Sequence, residues 1–401
     1  MKRIARAAIA VASLLWTLPA LAQAPLRIGV LETLAGPYAG LAGPGSVVAA
    51  QMAIEDFGGT VLGRRVELLS ADMQAKPDLG SLIARKWYDA EGVGVIVGIG
   101  NSAVAKSVQT LARERNKIDI ISSAISTDLM GADCSPNGFL WTFDTYAESK
   151  GPLLAELERG GKTWFFITVD YALGKVLESD ARKIIEANGG KVLGSVRHPM
   201  GTVDFSALLL QAQGSGAQVI GLATSGEDQQ NAIKEAREFH ISGPGGVQIL
   251  PLTTSIIDIH SLGLQNAKGL LLSKPFYWDM NDNTRAFAQR FLKRVGQMPT
   301  YLQAGTYGAT LHYLQSVAAA GTDETGAVLA KIRSLPINDM MTTNGQIRED
   351  GRVMREAYLL EAKDPAESKG EWDLLKVIRT IPPEQAVAPL NPACPLVKNN
   401  G

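Results

Sequence analysis

The sequence predicts an α/β protein made of two doubly wound parallel-sheet lobes. Three observations predict it. Apolar runs of strand length alternate with helical patterns of roughly 12–18 residues. That alternation runs from Leu26 to Phe143 and then restarts at Trp164. The chain has 401 residues, enough for two cores.

In the first unit, Leu26 to Glu32 reads as a short apolar strand. Thr33 to Gly45 follows as a loop rich in glycine and proline, where backbone can approach closely. Ser46 opens a helix whose apolar face includes Val47, Ala50, Ile54 and Phe57. Val66 to Ala71 is the next strand, and Pro77 to Ala90 the next helix, with proline at a permitted first position. Val93 to Gly98 is apolar on both faces, which suits the middle of a parallel sheet covered by helices. It feeds Gly98-Ile99-Gly100-Asn101-Ser102-Ala103 and a helical pattern through Leu111, which Asn101 or Ser102 can cap. Ile118 to Ser122 and Phe139 to Phe143 complete the set of strands.

The second unit alternates in the same way. Its strands are Trp164–Val169, Lys191–Val196, Ala217–Ala223, Val247–Leu252 and Gly269–Ser273. Helices at Leu173–Asn188, Phe205–Gln213 and Glu227–His240 lie between them. Long amphipathic helices over 282–296 and 302–320, strands at Tyr358–Glu361 and Trp372–Ile378, and a proline-rich tail follow. In such folds the cleft between lobes, at the strand carboxyl ends, is the ligand site.

Residues 1–24 read as a secretory leader: Lys2, Arg3 and Arg6, then the apolar stretch Ala7 to Leu18, then small residues. Cleavage is expected after Ala22 or Ala24, with Ala22 favoured because Pro25 would follow the other cut. The apolar stretch is too short to anchor the chain in a membrane, so an exported, soluble periplasmic protein is expected. Loss of the leader's three cations takes the formal charge from −1 to −4. Such a chain offers nucleic acid no basic surface. Cys134 and Cys394 are the only cysteines. In an oxidising compartment they are expected to pair, tying the tail to the first lobe; two free buried thiols are the alternative.

The chemistry-bearing positions gather at strand ends. The helix start at Asn101 and Ser102 offers free amides and a dipole to an anion. A nucleotide fingerprint or a purely structural turn are its other readings, and the acidic residue a nucleotide site needs is misplaced, since Asp119 begins the next strand. Ser122, Ser123, Ala124 and Ile125 lie beside that corner, where Ser126 or Thr127 can equally cap a helix. Tyr171 can lay its ring on a ligand or cover the lobe surface. Thr224-Ser225-Gly226 and Thr253-Thr254-Ser255 occupy equivalent strand ends. Phe276-Tyr277-Trp278 is either hinge packing or a cleft wall. The four histidines show no metal spacing, and there is no G-x-S-x-G elbow.

Taken together, these residues carry a resemblance. The opening Leu26-Arg27-Ile28-Gly29-Val30 with Gly36-Pro37-Tyr38-Ala39 resembles periplasmic binding proteins of branched-chain amino acid-type ABC importers. Ala49 to Glu55, Asp170-Tyr171, Asp204-Phe205-Ser206 and Tyr301 to Tyr307 extend the likeness over the mature chain. It implies the type I binding-protein fold, with lobes joined by a three-segment hinge near Asp144–Lys150, Ser273–Asp279 and Leu335–Gly351. Residues 25–144 and 279–340 would form the first lobe, 145–278 and 341–385 the second, and 386–401 the tail. It further implies that Asn101 and Ser102 hold a ligand carboxylate, helped by Ser122, Ser123, Ala124 and Ile125. Tyr38, Tyr171, Ser225, Gly226, Thr253, Thr254 and Tyr277 would complete the pocket.

One departure bears on the ligand. Amino acid binders of this family place an acid after Leu250-Pro251, to pair with the ligand ammonium, and Leu252 to Ser255 supply none. An unpaired ammonium in a closed cleft is costly. The expectation is therefore a carboxylate solute, amino acid-like or, favoured here, an aromatic or aliphatic acid, unless Glu227 or Asp228 substitutes. The expected role is non-enzymatic: a monomer without cofactor or metal that hands its solute to a membrane permease. A sensor signalling to a membrane receptor and an exported enzyme on the same fold are the alternatives.

Overall fold

A computed structural model describes residues 24–36, 38–242 and 246–397 of the protein. The leader expected over 1–24 lies outside the described residues, apart from Ala24.

The first lobe begins with β1 (Leu26–Glu32), α1 (Gly43–Phe57), β2 (Thr60–Val61), β3 (Arg64–Asp72) and α2 (Pro77–Asp89). It continues with β4 (Val93–Gly98), α3 (Ser102–Glu114), β5 (Ile118–Ile121) and β6 (Gly138–Leu140). The sheet runs β2-β3-β1-β4-β5-β6, parallel throughout except for the β2–β3 hairpin. The doubly apolar strands take its centre, as their composition requires. Val95 and Val97 share a core with Ala50 and Ile54 of α1, whereas Ile96 packs with Trp87 of α2 and Val104 of α3.

The second lobe runs α4 (Thr145–Glu158), β7 (Thr163–Val169), α5 (Ala172–Ala187), β8 (Lys191–His198), α6 (Ser206–Gly214) and β9 (Val219–Ala223). Then come α7 (Gly226–Glu238), β10 (Gln248–Pro251), α8 (Ile256–Leu262), α9 (Leu264–Ala267) and β11 (Leu271–Lys274). Its parallel sheet has four strands, β10-β9-β7-β8.

The chain returns to the first lobe as α10 (Asp282–Val295), α11 (Tyr301–Ala320) and α12 (Thr325–Ser334). Tyr313 and Val317 of α11 cover the face of β1 and β4 that α1 also covers. After the short β12 (Gln346–Ile347) and β13 (Val353–Met354), β14 (Ala357–Ala362), β15 (Leu375–Ile381) and α13 (Pro383–Ala386) belong to the second lobe.

Two details differ from the sequence reading. Strand β11 does not extend the parallel sheet; it pairs antiparallel with β14, which pairs antiparallel with β15. Residues expected to cross back over Leu335–Gly351 stay with the first lobe. Ile337, Ile347 and Val353 sit in or against its core, and Leu140 bridges Arg352 in parallel. Arg355 still pairs with Asp339 and donates to Trp141 O, whereas β14, which begins at Ala357, pairs with β11. Cys134 and Cys394 form a disulfide, with Cα atoms 5.5 Å apart. On its way there the tail is held by Lys150 donating to Gln385 O at 2.7 Å and Arg348 donating to Ala388 O at 2.9 Å.

Candidate functional site

Both lobes aim the carboxyl ends of their parallel strands at one cavity of about 330 Å³. Residues following β1, β4 and β5 form one wall, and residues following β7, β9 and β10 form the other.

The first wall is built on the Asn101 corner. Asn101 caps α3, its Oδ1 accepting the amides of Ala103 and Val104 at 2.9 and 3.2 Å. Its carbonyl takes the Ala105 amide, so the cap leaves the Ser102 amide out of its bonding. Both Asn101 and Ser102 line the cavity. The turn before them is strained: Ile99 has φ +67°, rare for a β-branched residue, and is wholly buried.

The glycines of this turn have a use that a nucleotide fingerprint does not explain. A Cβ at Gly100 would stand 2.2 Å from Glu32 Oε2, and one at Gly98 would stand 2.6 Å from Oε1. They make room for Glu32, a 1 % exposed acid that ends β1 and lines the cavity. Ser123 Oγ lies 2.6 Å from Glu32 Oε1. Burial pushes the Glu32 carboxyl up to about 8, more than the hydroxyl and amide contacts around it pull it down. Ala124 and Ile125 also line the cavity. Ser122 does not; its hydroxyl is 2.7 Å from that of Thr306, away from the cleft.

On the second wall, Tyr171 precedes α5 and Ser225 precedes α7, and both reach the cavity. The ring of Tyr38, from the first lobe, lies 6.4 Å from that of Tyr171. Thr253 lines the cavity, with its hydroxyl donating to Thr224 O at 2.7 Å. Gly226 and Thr254 lie behind the lining, Thr254 accepting from Gln229 Nε2 at 3.1 Å. Tyr277 is not at this cavity either. It belongs to the second-lobe core, and its hydroxyl donates to Trp372 O at 3.3 Å.

The floor went unread in the sequence. Glu148 of α4 lines it, paired with Lys274 of β11 at 2.6 Å, and both side chains are buried. The Tyr301 hydroxyl also donates to Glu148, and the Lys274 ammonium stands 4.6 Å over the Tyr301 ring. Burial pushes Glu148 up to about 7 against the pull of Lys274. The signal for Lys274 and Glu32 was a charge attached to an apolar strand; for Glu148, inside an ordinary helical pattern, there was none. Elsewhere the walls are largely apolar, with Leu41, Ile125, Leu173, Met200 and Leu302. Glu227 is exposed, and Asp228 is spent on the Gly201 amide and the Tyr38 hydroxyl. Neither lines the cavity. Among the described residues no helix is long and apolar enough to cross a membrane, and no group of three His, Cys, Asp or Glu side chains is placed to hold a metal.

Comparison with known proteins agrees with this fold. The family described as periplasmic binding protein matches residues 25–371. A solved periplasmic binding protein from Burkholderia mallei is 42% identical, with 93% of this chain and 99% of that one covered at a TM-score of 0.90. A branched-chain amino acid ABC transporter periplasmic ligand-binding protein from Burkholderia xenovorans is 40% identical, over 91% of this chain and 97% of that one, with a TM-score of 0.81. The Leu/Ile/Val-binding protein homolog 6 of Brucella melitensis is 26% identical, over 90% of this chain and 93% of its own length.

Proposed function

The chain belongs to the periplasmic binding protein family, and from that premise we propose that it is the solute-capturing subunit of an ABC importer. It binds a small carboxylate between its lobes and catalyses nothing. The leader is cut after Ala22 or Ala24, the monomer works in the periplasm, and the closed form is handed to a membrane permease. The name of its 40% identical structural relative supports the transporter assignment.

One observation carries the ligand class: the capped start of α3 opens into the interlobe cavity beside Ser123. There the Ser102 amide, the Ser123 hydroxyl and the helix dipole converge on one carboxylate. Binding on this wall and closure of the other over it follow the hinge motion of two-lobed receptors.

The missing ammonium partner favours an acid without an α-amino group. Of the two carboxyls that line the cavity, Glu148 is committed to Lys274, and the buried Glu32 holds its proton at neutral pH. An ammonium would meet no free negative charge. The apolar walls suit an aromatic or branched aliphatic body.

Denaturing the purified protein and identifying any released small molecule by mass spectrometry tests the class, and calorimetry with benzoate and with leucine tests the preference. Release of a carboxylic acid and tighter binding of benzoate are expected. A released solute without an acid group would overturn the class, and tight leucine binding would overturn the preference.

A further inference from the structure

We propose that Glu32 sets the charge selectivity of this corner: protonated, it turns the Ser123 hydroxyl outward as a donor to the solute carboxylate, and ionised, it closes the corner to anions. The inference rests on the carboxylate reading above and assigns a role to a residue outside the helix start itself.

The geometry supplies the mechanism. A serine hydroxyl carries one proton. With Glu32 ionised, Ser123 gives that proton to Oε1 across the 2.6 Å contact, and only its lone pairs face the cavity. With Glu32 protonated, the carboxyl donates to Ser123 Oγ instead, and the hydroxyl proton is released to an incoming carboxylate. The same step removes a negative charge that would stand next to the bound anion. Gly98 and Gly100 leave room for the acid there, since a side chain at either would collide with its oxygens.

The surroundings favour the neutral form. Ser46 and the Thr33 amide face Glu32 beside Ser123, and all are uncharged. Asp72, its register partner on β3, turns its carboxylate to the amides of Leu34 and Gln74. Glu148, on the cavity floor, is held by Lys274, and Asp228, behind the far wall, by Gly201. No salt bridge among the described residues reaches Glu32. Its proton is therefore retained until about pH 8.

Benzoate is the probe, because it does not titrate in this range. Calorimetry at pH 7 and pH 9 on the full mature chain should show wild-type affinity falling about tenfold, the loss expected for one group of that pKa. Glu32→Gln keeps a neutral donor against Ser123 but cannot ionise, so it should lack this tenfold component, and any slope that remains from Glu148 on the cavity floor is common to both proteins. Equal pH slopes in the two proteins would overturn this proposal and leave the carboxylate reading standing. Failure of benzoate, isovalerate and leucine to bind at any pH would overturn both. Should Glu32→Gln not fold, carbon-13 NMR of the glutamate carboxyls in the wild type decides: a resonance moving near pH 8 is expected, and its absence overturns the proposal.

Discussion

The hydroxyl of Tyr38, in the loop after β1, donates to Oδ2 of Asp228 near the start of α7 at 3.1 Å, so one hydrogen bond joins the two lobes beside the cleft. Asp228 is held for this contact by the Gly201 amide, at 3.0 and 3.2 Å from its two oxygens. Tyr38→Phe keeps the ring near Tyr171 and removes only the bond. A hydrogen bond to a carboxylate is worth roughly 1.5–3 kcal/mol, so solute release should accelerate by about tenfold or more. Stopped-flow measurement of release checks this, and an unchanged rate would strike Tyr38 from the closing contacts.

Asp144 and Arg352 form an ion pair in which both side chains are essentially without solvent contact. The pair joins the first crossing segment to the end of the first-lobe excursion, and Asp144 also caps α4 through the Ala147 amide at 2.8 Å. Asp144→Ala leaves a buried guanidinium whose Nε and Nη1 already lack partners among the described residues. A loss of about 3–5 kcal/mol is expected in urea unfolding. Pairing the change with Arg352→Met should recover part of it, whereas equal losses would show that the charge is not the cause.

Asp119 lies in β5 with neither carboxylate oxygen bonded among the described residues, and burial drives its pKa well up. The folded state therefore binds this proton more tightly than the unfolded chain. The stability it contributes is complete in acid and is lost as pH rises through the folded pKa. Asp119→Asn places an amide where Gln109, which also flanks Gly138, has an unpartnered oxygen. The variant should be more stable than wild type by about 1–3 kcal/mol at pH 8 and nearly equal to it at pH 4. Glu32 and Glu148, also raised, leave a residual slope of the same sign. Urea midpoints at the two pH values check this.

The disulfide closes a separation of 260 residues and returns the tail to the first lobe after α13 has packed on α4. Replacing Cys134 and Cys394 together by serine should lower stability by about 2–5 kcal/mol. Thermal unfolding of the wild type with reductant should match the double variant without it, and a wild type indifferent to reductant would contradict the prediction.

Much of the fold was legible because it is local. Val93–Gly98 announces a central strand by being apolar on both faces, and Asn101 announces a helix start by being able to accept two amides three residues or fewer away. The outer parts were less legible. β11 reads like any buried parallel strand, and its antiparallel partner lies about 90 residues further on. Val353 shows no local sign of which lobe buries it. At the site, Ser122 and Ser123 are indistinguishable in sequence, yet one faces Thr306 and the other Glu32.

By itself the sequence determined the alternation of strands and helices, the corner at Asn101, and the presence of a cleft at the strand ends. Periodicity, capping and strand-end chemistry are properties of residues within a few positions of one another. Only the tertiary structure decided which acids surround the cleft and in what state. Lys274 meets Glu148 across 126 residues, and burial raises the Glu32 carboxyl with no salt bridge reaching it among the described residues. The charge on a carboxyl depends on desolvation and distant partners, and neither is written in its neighbours along the chain.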